Sequence, residues 1–180
     1  MKIGPQKPGP VYWVTGLAGA GKTTLATLLA ERLRDTGEWV ILLDGDRMRE
    51  VFAGDVGHSP EERRALAGQY GRLCRMLAEQ GATVVCATIS MFHAVRAWNR
   101  EHIARYCEVY VKVPLEVLEV RDQKGLYAAA RRNEVRHVLG VNASFEEPES
   151  PDIMIHNDGT RSPESVLDEL RERIEQWSVR

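Results

Sequence analysis

Long hydrophobic runs, paired cysteines and a dominant charge of one sign are all missing from this chain of 180 residues. No stretch approaches the ~18 consecutive apolar residues that cross a bilayer, so no membrane-spanning helix is expected. Cys74, Cys86 and Cys107 are odd in number and lack C-x-x-C spacing, which argues for reduced, buried core thiols over a disulfide framework or a thiolate metal site. The formal net charge of −2 gives no electrostatic pull toward nucleic acid or a membrane surface. His58, His93, His102, His137 and His156 show no metal-ligand spacing. Lysine is scarce, occurring only at Lys2, Lys7, Lys22, Lys112 and Lys124. Residues 1–10 carry Pro5, Pro8 and Pro10 and no apolar core of a signal peptide, which predicts a loose lead-in to a cytoplasmic protein.

What is present is the composition of an ordinary globular chain, 43% hydrophobic and 28% charged, long enough for one domain over 1–180. Short β-branched runs at 11–15, 39–43, 83–87, 108–113 and 152–156 read as strands. Between them, 22–35, 60–80, 95–106, 114–121 and 163–177 have helical character; in the second, Leu66, Tyr70, Leu73, Cys74 and Leu77 form one apolar stripe. Ser59-Pro60-Glu61-Glu62 and Ser162-Pro163-Glu164 are helix starts, each with a capping serine, a proline at the first helical position and an acid in the first turn. Gly37 and Gly81 stand where helices should end. Strand alternating with helix predicts a doubly wound, mostly parallel sheet. The polar segment 122–151 breaks that rhythm and is either a disordered insertion or a lid over a functional site, the lid being the favoured reading.

Gly16-Leu17-Ala18-Gly19-Ala20-Gly21-Lys22-Thr23 fits G-x-x-x-x-G-K-[ST], after a strand and before a helix, the context in which this motif binds phosphate. Gly16, Gly19 and Gly21 let successive amides turn toward one anion, and the helix N-terminus adds partial positive charge. Lys22 then reaches the terminal phosphates of ATP, and the Thr23 hydroxyl is placed to ligate Mg²⁺. No Asn-Lys-x-Asp run is present to read guanine, and the third strand ends Ala87-Thr88 without an acid. The acids follow the second strand instead, at Asp44 and Asp46. One can hold the metal while the other accepts a proton from an acceptor hydroxyl, and Arg49 suits a phosphate or sulfate. The alternative for these acids is a polar turn with a helix-capping aspartate. Arg96 and Arg100, at i and i+4, fit either an acceptor contact or a solvated helix face.

With these segments placed, the chain resembles the adenylyl-sulfate kinase family over almost its whole length. The resemblance rests on Gly16–Thr24, Leu43-Asp44-Gly45-Asp46, Ser59–Arg64, Ile89-Ser90, Val113–Val117, Arg121-Asp122-Gln123-Lys124-Gly125-Leu126-Tyr127 and Asn157-Asp158-Gly159. Lys-Gly-Leu-Tyr is the most family-specific of these and the phosphate loop the least. The resemblance implies an α/β P-loop NTPase fold of three layers: a mostly parallel five-stranded sheet, helices on both faces and a mobile lid. It implies transfer of the ATP γ-phosphate to the 3′-hydroxyl of adenosine 5′-phosphosulfate, a small-molecule nucleotide partner, and a homodimer.

Carried over by position, Asp46 looks like the catalytic base and Asp44, with Thr23, like the metal site. Ala20 and Thr24 complete the ATP-binding loop, Asn157 belongs to the turn that cups the ATP base, and Arg131 on the lid fits either a cation that neutralises phosphoryl charge or a solvated helix face. Arg49, His58, Arg63, Ile89 and Phe145 fall on the acceptor side, and Lys124 looks like a lid lysine spanning both substrates. Ser90 matches a serine assigned in the family as a phosphorylated intermediate, but in-line transfer requires no covalent step, and a positioning hydroxyl fits better.

The chain departs from the family pattern on the acceptor side. It carries His58 for an aromatic, Leu66 and Gly68 for an asparagine and an arginine, Thr88 and Met91 around Ile89-Ser90, and Val138-Leu139-Gly140-Val141-Asn142 for Phe-Thr-Gly-Ile-Asp. Met91-Phe92 and Leu73–Leu77 look similar to kinases of cytidine diphosphoramidate, an alternative acceptor. A nucleotide-binding module without turnover is the remaining alternative, opposed by the presence of Lys22, Thr23, Asp44, Asp46 and Lys124 together.

Overall fold

A computed structural model describes residues 7–52, 59–122 and 125–179. Five strands, β1 (Val11–Thr15), β2 (Val40–Asp44), β3 (Thr83–Thr88), β4 (Tyr106–Lys112) and β5 (Ile153–His156), form one sheet in the order β2-β3-β1-β4-β5. Every pairing is parallel, and β1 lies centrally with Val11 opposite both Val84 and Tyr106. Parallel strands are covered on both faces, which is why the central ones are apolar throughout. The pleat divides β1: Tyr12 and Val14 face one core and Val11 and Trp13 the other.

The first core receives Leu25, Ala26 and Leu29 of α1 (Lys22–Asp35) and Leu167, Leu170 and Ile174 of α7 (Pro163–Ser178). The second receives Leu66, Tyr70 and Cys74 of α3 (Pro60–Glu79) and Val95 of α4 (His93–His102). The three cysteines are buried free thiols. Ser59 and Glu62 close a capping box at the start of α3, and the Ser162 hydroxyl accepts from Ser165 N–H at the start of α7. Gly37 and Gly81 take left-handed φ angles of 87° and 92° just beyond α1 and α3.

Three features differ from the sequence expectation. The fourth helix ends at His102, with Tyr106 already in β4, because Ile103 is extended and the strand register with β1 begins at Tyr106. An unexpected helix, α2 (Gly45–Phe52), follows β2 directly; Asp44 Oδ1 accepts from the amides of Asp46 and Arg47 and so opens it. Arg96 is neither an acceptor contact nor a solvated face: it is 5% exposed and its Nε lies 3.1 Å from Glu108 on β4. Arg100 completes the network with Asp152 at 2.9 Å and Glu108 at 3.3 Å, tying α4 to the sheet.

Two short helices, α5 (Leu115–Arg121) and α6 (Leu126–Arg131), follow β4. The described part of the segment read as a lid therefore carries structure and docks on the phosphate loop. Tyr127 Oη donates to Ala18 O at 2.8 Å, and both oxygens of Asp122 accept α6 amides, from Tyr127 at 2.9 Å and Ala128 at 2.8 Å. Those amides hold the Asp122 carboxyl below its ordinary value.

Candidate active site

The loop from Gly16 to Gly21 leaves the carboxyl end of the central strand, where open parallel sheets bind ligands. Gly16 is fixed by close approach: a Cβ there would meet Val111 O at 2.5 Å. Gly21 caps α1 at φ 89° with no side-chain partner for the helix amides, which leaves that N-terminus to an anion. Lys22 is 8% exposed and donates to Leu17 O at 2.7 Å, folded over its own loop.

Thr23 Oγ1 donates to Asp44 Oδ2 at 2.8 Å, so a hydroxyl from the first turn of α1 and a carboxylate at the end of β2 converge. An all-oxygen pair beside a phosphate site suits a hard cation such as Mg²⁺, which keeps several waters and takes further ligands from phosphate. Among the described residues no cluster of three His, Cys, Asp or Glu side chains forms a dedicated metal cage.

A single cavity of ≈ 1320 Å³ runs from this loop across α2 to α3. That exceeds the about 300–1,000 Å³ usual for one small ligand and leaves room for two nucleotides. Gly19, Gly21, Lys22, Thr23 and Thr24 of the phosphate loop and the start of α1 line it with Asn157, as do Asp44, Asp46 and Arg49 at the end of β2 and on α2, Arg63 of α3, and Ile89 and Ser90 after β3. Burial and the neighbouring Arg49 charge push the Arg63 guanidinium below its ordinary value, so this part of the cavity favours an anion. Ser90 is 4% exposed and shares a 2.9 Å hydrogen bond with Thr88.

Ala20 keeps its place in the loop, with its methyl buried in the first core. Other expected site residues lie elsewhere. Arg131 does not line the cavity: its Nε donates to Glu119 of α5 at 3.0 Å on an exposed face. Phe145 packs against the first core, where a Cβ added at Gly140 would lie 3.8 Å from its ring, and is not on the cavity wall. Lys124 and His58 fall outside the described residues.

Two cavity residues carry roles that sequence reasoning missed. Arg121 donates to Asn157 O at 3.0 Å and to Gly19 O at 3.4 Å, clamping the turn before α7 onto the phosphate loop. Tyr70 lines the cavity with its hydroxyl 3.5 Å from Gly45 O, and burial raises that phenol to about 12. The Arg-Asp pair before Lys124 was a signal for Arg121; Tyr70 read only as one member of an apolar stripe.

The model of the adenylylsulphate kinase family matches residues 8–156. The chain belongs to the adenylylsulphate kinase family. It is 42% identical over 151 residues to the adenylyl-sulfate kinase of Paraburkholderia xenovorans, covering 83% of this chain and 84% of that protein. It is 41% identical over 147 residues to a probable adenylyl-sulfate kinase of Pyrococcus abyssi, covering 82% and 84%. Its fold superposes on the Mycobacterium tuberculosis APS kinase CysC, solved in complex with AMPPNP and APS, with a TM-score of 0.86 and 32% identity over 93% of this chain and 98% of that one. A shikimate kinase of Aquifex aeolicus, 16% identical at a TM-score of 0.60, shares the fold alone. As a member of the family, the chain is an ATP-dependent phosphotransferase acting on a hydroxyl group. Among the described residues no helix is long and apolar enough to cross a membrane.

Proposed function

We propose that this enzyme transfers the γ-phosphate of ATP to the 3′-hydroxyl of adenosine 5′-phosphosulfate. The observation that carries the reading is Asp46 in one cavity with the phosphate loop on one side and Arg49 and Arg63 on the other. The amides of the Gly16–Gly21 loop and the α1 N-terminus bind the ATP phosphates. Lys22 exchanges its bond to Leu17 O for the β- and γ-phosphates. Arg49 and Arg63 hold the acceptor anion, and Ser90, fixed by Thr88, orients the acceptor near the transferred group. Asp46 accepts the proton of the acceptor hydroxyl as its oxygen attacks phosphorus in line with the leaving ADP. Thr23 and Asp44 would hold Mg²⁺, which when bound neutralises charge on the β- and γ-oxygens. The same reading places the enzyme in the cytoplasm, as a single-domain chain acting as a homodimer.

ADP release stimulated by adenosine 5′-phosphosulfate tests the proposal. Phe92, which carries the similarity to kinases of cytidine diphosphoramidate, lies on the cavity wall, so that compound belongs in the same panel. Turnover with it and none with adenosine 5′-phosphosulfate would move the acceptor assignment to the second compound.

A further inference from the structure

The cavity wall beyond Arg49 is apolar and, unusually for apolar side chains, open. Val51, Phe52 and Ile89 are 76%, 39% and 37% exposed, and all three line the cavity. Phe52 is the last residue of α2, three positions beyond Arg49, which is itself three beyond Asp46. Residues three apart are neighbours on a helix surface, ~5–6 Å between Cβ atoms. Along α2 the chain therefore presents a carboxylate, a guanidinium and an aromatic ring in sequence, moving away from the phosphate loop.

Those three groups match the parts that branch from the ribose of a nucleotide acceptor: a hydroxyl to be deprotonated, an anion to be held, and a flat base. The ring is also supported. Tyr70 of α3, 4% exposed, meets Phe52 at a centroid distance of 6.1 Å and an interplanar angle of 56°. The contact is tilted, not stacked, so Tyr70 braces the ring without covering its face. Tyr70 is in turn tied to the first residue of α2 through Gly45 O.

We infer that Phe52 is the stacking platform for the base of the acceptor nucleotide and thereby a specificity-determining residue. The assignment rests on the acceptor being a nucleotide, as proposed above. Stacking is tolerant of base identity, because every base has a π-face, and it is strongest for the larger rings. Phe52 therefore favours a purine over a pyrimidine by contact area and reads no base edge.

The test is a binding and kinetic comparison of wild type, Phe52→Ala, Phe52→Leu and Phe52→Trp. Phe52→Ala should raise the Kd and KM for adenosine 5′-phosphosulfate about 5- to 150-fold, the equivalent of the ~1–3 kcal/mol of a base–aromatic stack. The KM for ATP should stay unchanged. Phe52→Leu should behave like the alanine variant, whereas Phe52→Trp should bind as wild type and show fluorescence quenching by the acceptor. The preference for adenosine over cytidine 5′-phosphosulfate should shrink in Phe52→Ala.

An acceptor KM within about twofold of wild type in Phe52→Ala, or equal loss for ATP and acceptor, overturns the inference. Should wild type bind the cytidine compound and not adenosine 5′-phosphosulfate, the acceptor reading fails alone, and the same variants measured with cytidine diphosphoramidate decide the platform. If wild type binds neither, both fall.

Discussion

Thr23 Oγ1 and Asp44 Oδ2 lie 2.8 Å apart, and the other oxygen of the same carboxylate caps α2 through Asp46 N–H at 3.0 Å. One side chain thus joins the phosphate loop to the helix that carries the acceptor-side residues. Asp44→Asn should keep the cap, since asparagine caps helices about as well as aspartate. It removes a hard anionic ligand, so the Mg²⁺ concentration for half-maximal rate should rise at least about 10- to 100-fold, by analogy with outer-shell losses at metal sites. A Mg²⁺ titration of the rate, with circular dichroism to establish an intact fold, checks this; an unchanged titration removes Asp44 from the metal site.

Asp46 follows two residues later in the first turn of α2, where its backbone is held by Asp44. If it takes the acceptor proton, Asp46→Ala and Asp46→Asn should both lower kcat by about 10²- to 10⁴-fold. The Kd for ATP should not change, because the donor contacts come from the phosphate loop. Equal kcat in wild type and variants would exclude the role.

Much of this arrangement was legible along the chain because its signals are local. A glycine-rich run between a strand and a helix, or a serine three residues before a glutamate, needs no distant partner to be recognised, and the structure places both as cap and loop. Helix α2 was not legible: eight glycine-led residues, four of them charged, are too few to show a helical period, and the cap that starts them is the last residue of a strand. Arg96 was misread for a different reason. Its i, i+4 spacing with Arg100 says nothing of Glu108, which reaches it from β4. By sequence Arg131 fits either a phosphoryl contact or a solvated helix face, and its pairing with Glu119 on an exposed face favours the second; Phe145 follows the family by position, and the geometry directs it to the apolar core.

Gly71 illustrates a constraint that spacing hides. It lies within α3, where a Cβ would stand 2.2 Å from Asn99 Oδ1 of α4, and Asn99 is fully buried. Gly71→Ala gains helix propensity yet overfills this contact, an error that costs about 1–3 kcal/mol. Thermal unfolding should shift down by roughly 2–12 °C for a chain of this size. A Tm equal to or above wild type would mean that α4 moves away without penalty.

Glu147 supplies a pH dependence whose sign is fixed by its partners. Lys112 Nζ lies 2.7 Å from Glu147 Oε1, and Tyr110 Oη donates to the same oxygen at 3.0 Å. The Lys112 hydrogen bond, with that of Tyr110, outweighs partial burial and holds the carboxyl below its ordinary value of 4.5. Burial keeps the Tyr110 phenol well above its ordinary value, so it stays a donor across the assay range. A depressed folded-state pKa means that the unfolded chain binds the proton first as acid is added. The stability due to Glu147 is therefore present above 4.5 and is lost as pH falls through the folded-state value. Glu147→Gln lacks the charge at every pH. The Tm difference between wild type and Glu147→Gln should be largest near about pH 6 and shrink steadily below about pH 4.5. A difference that stays constant over that range would show that the ion pair with Lys112 does not form in solution.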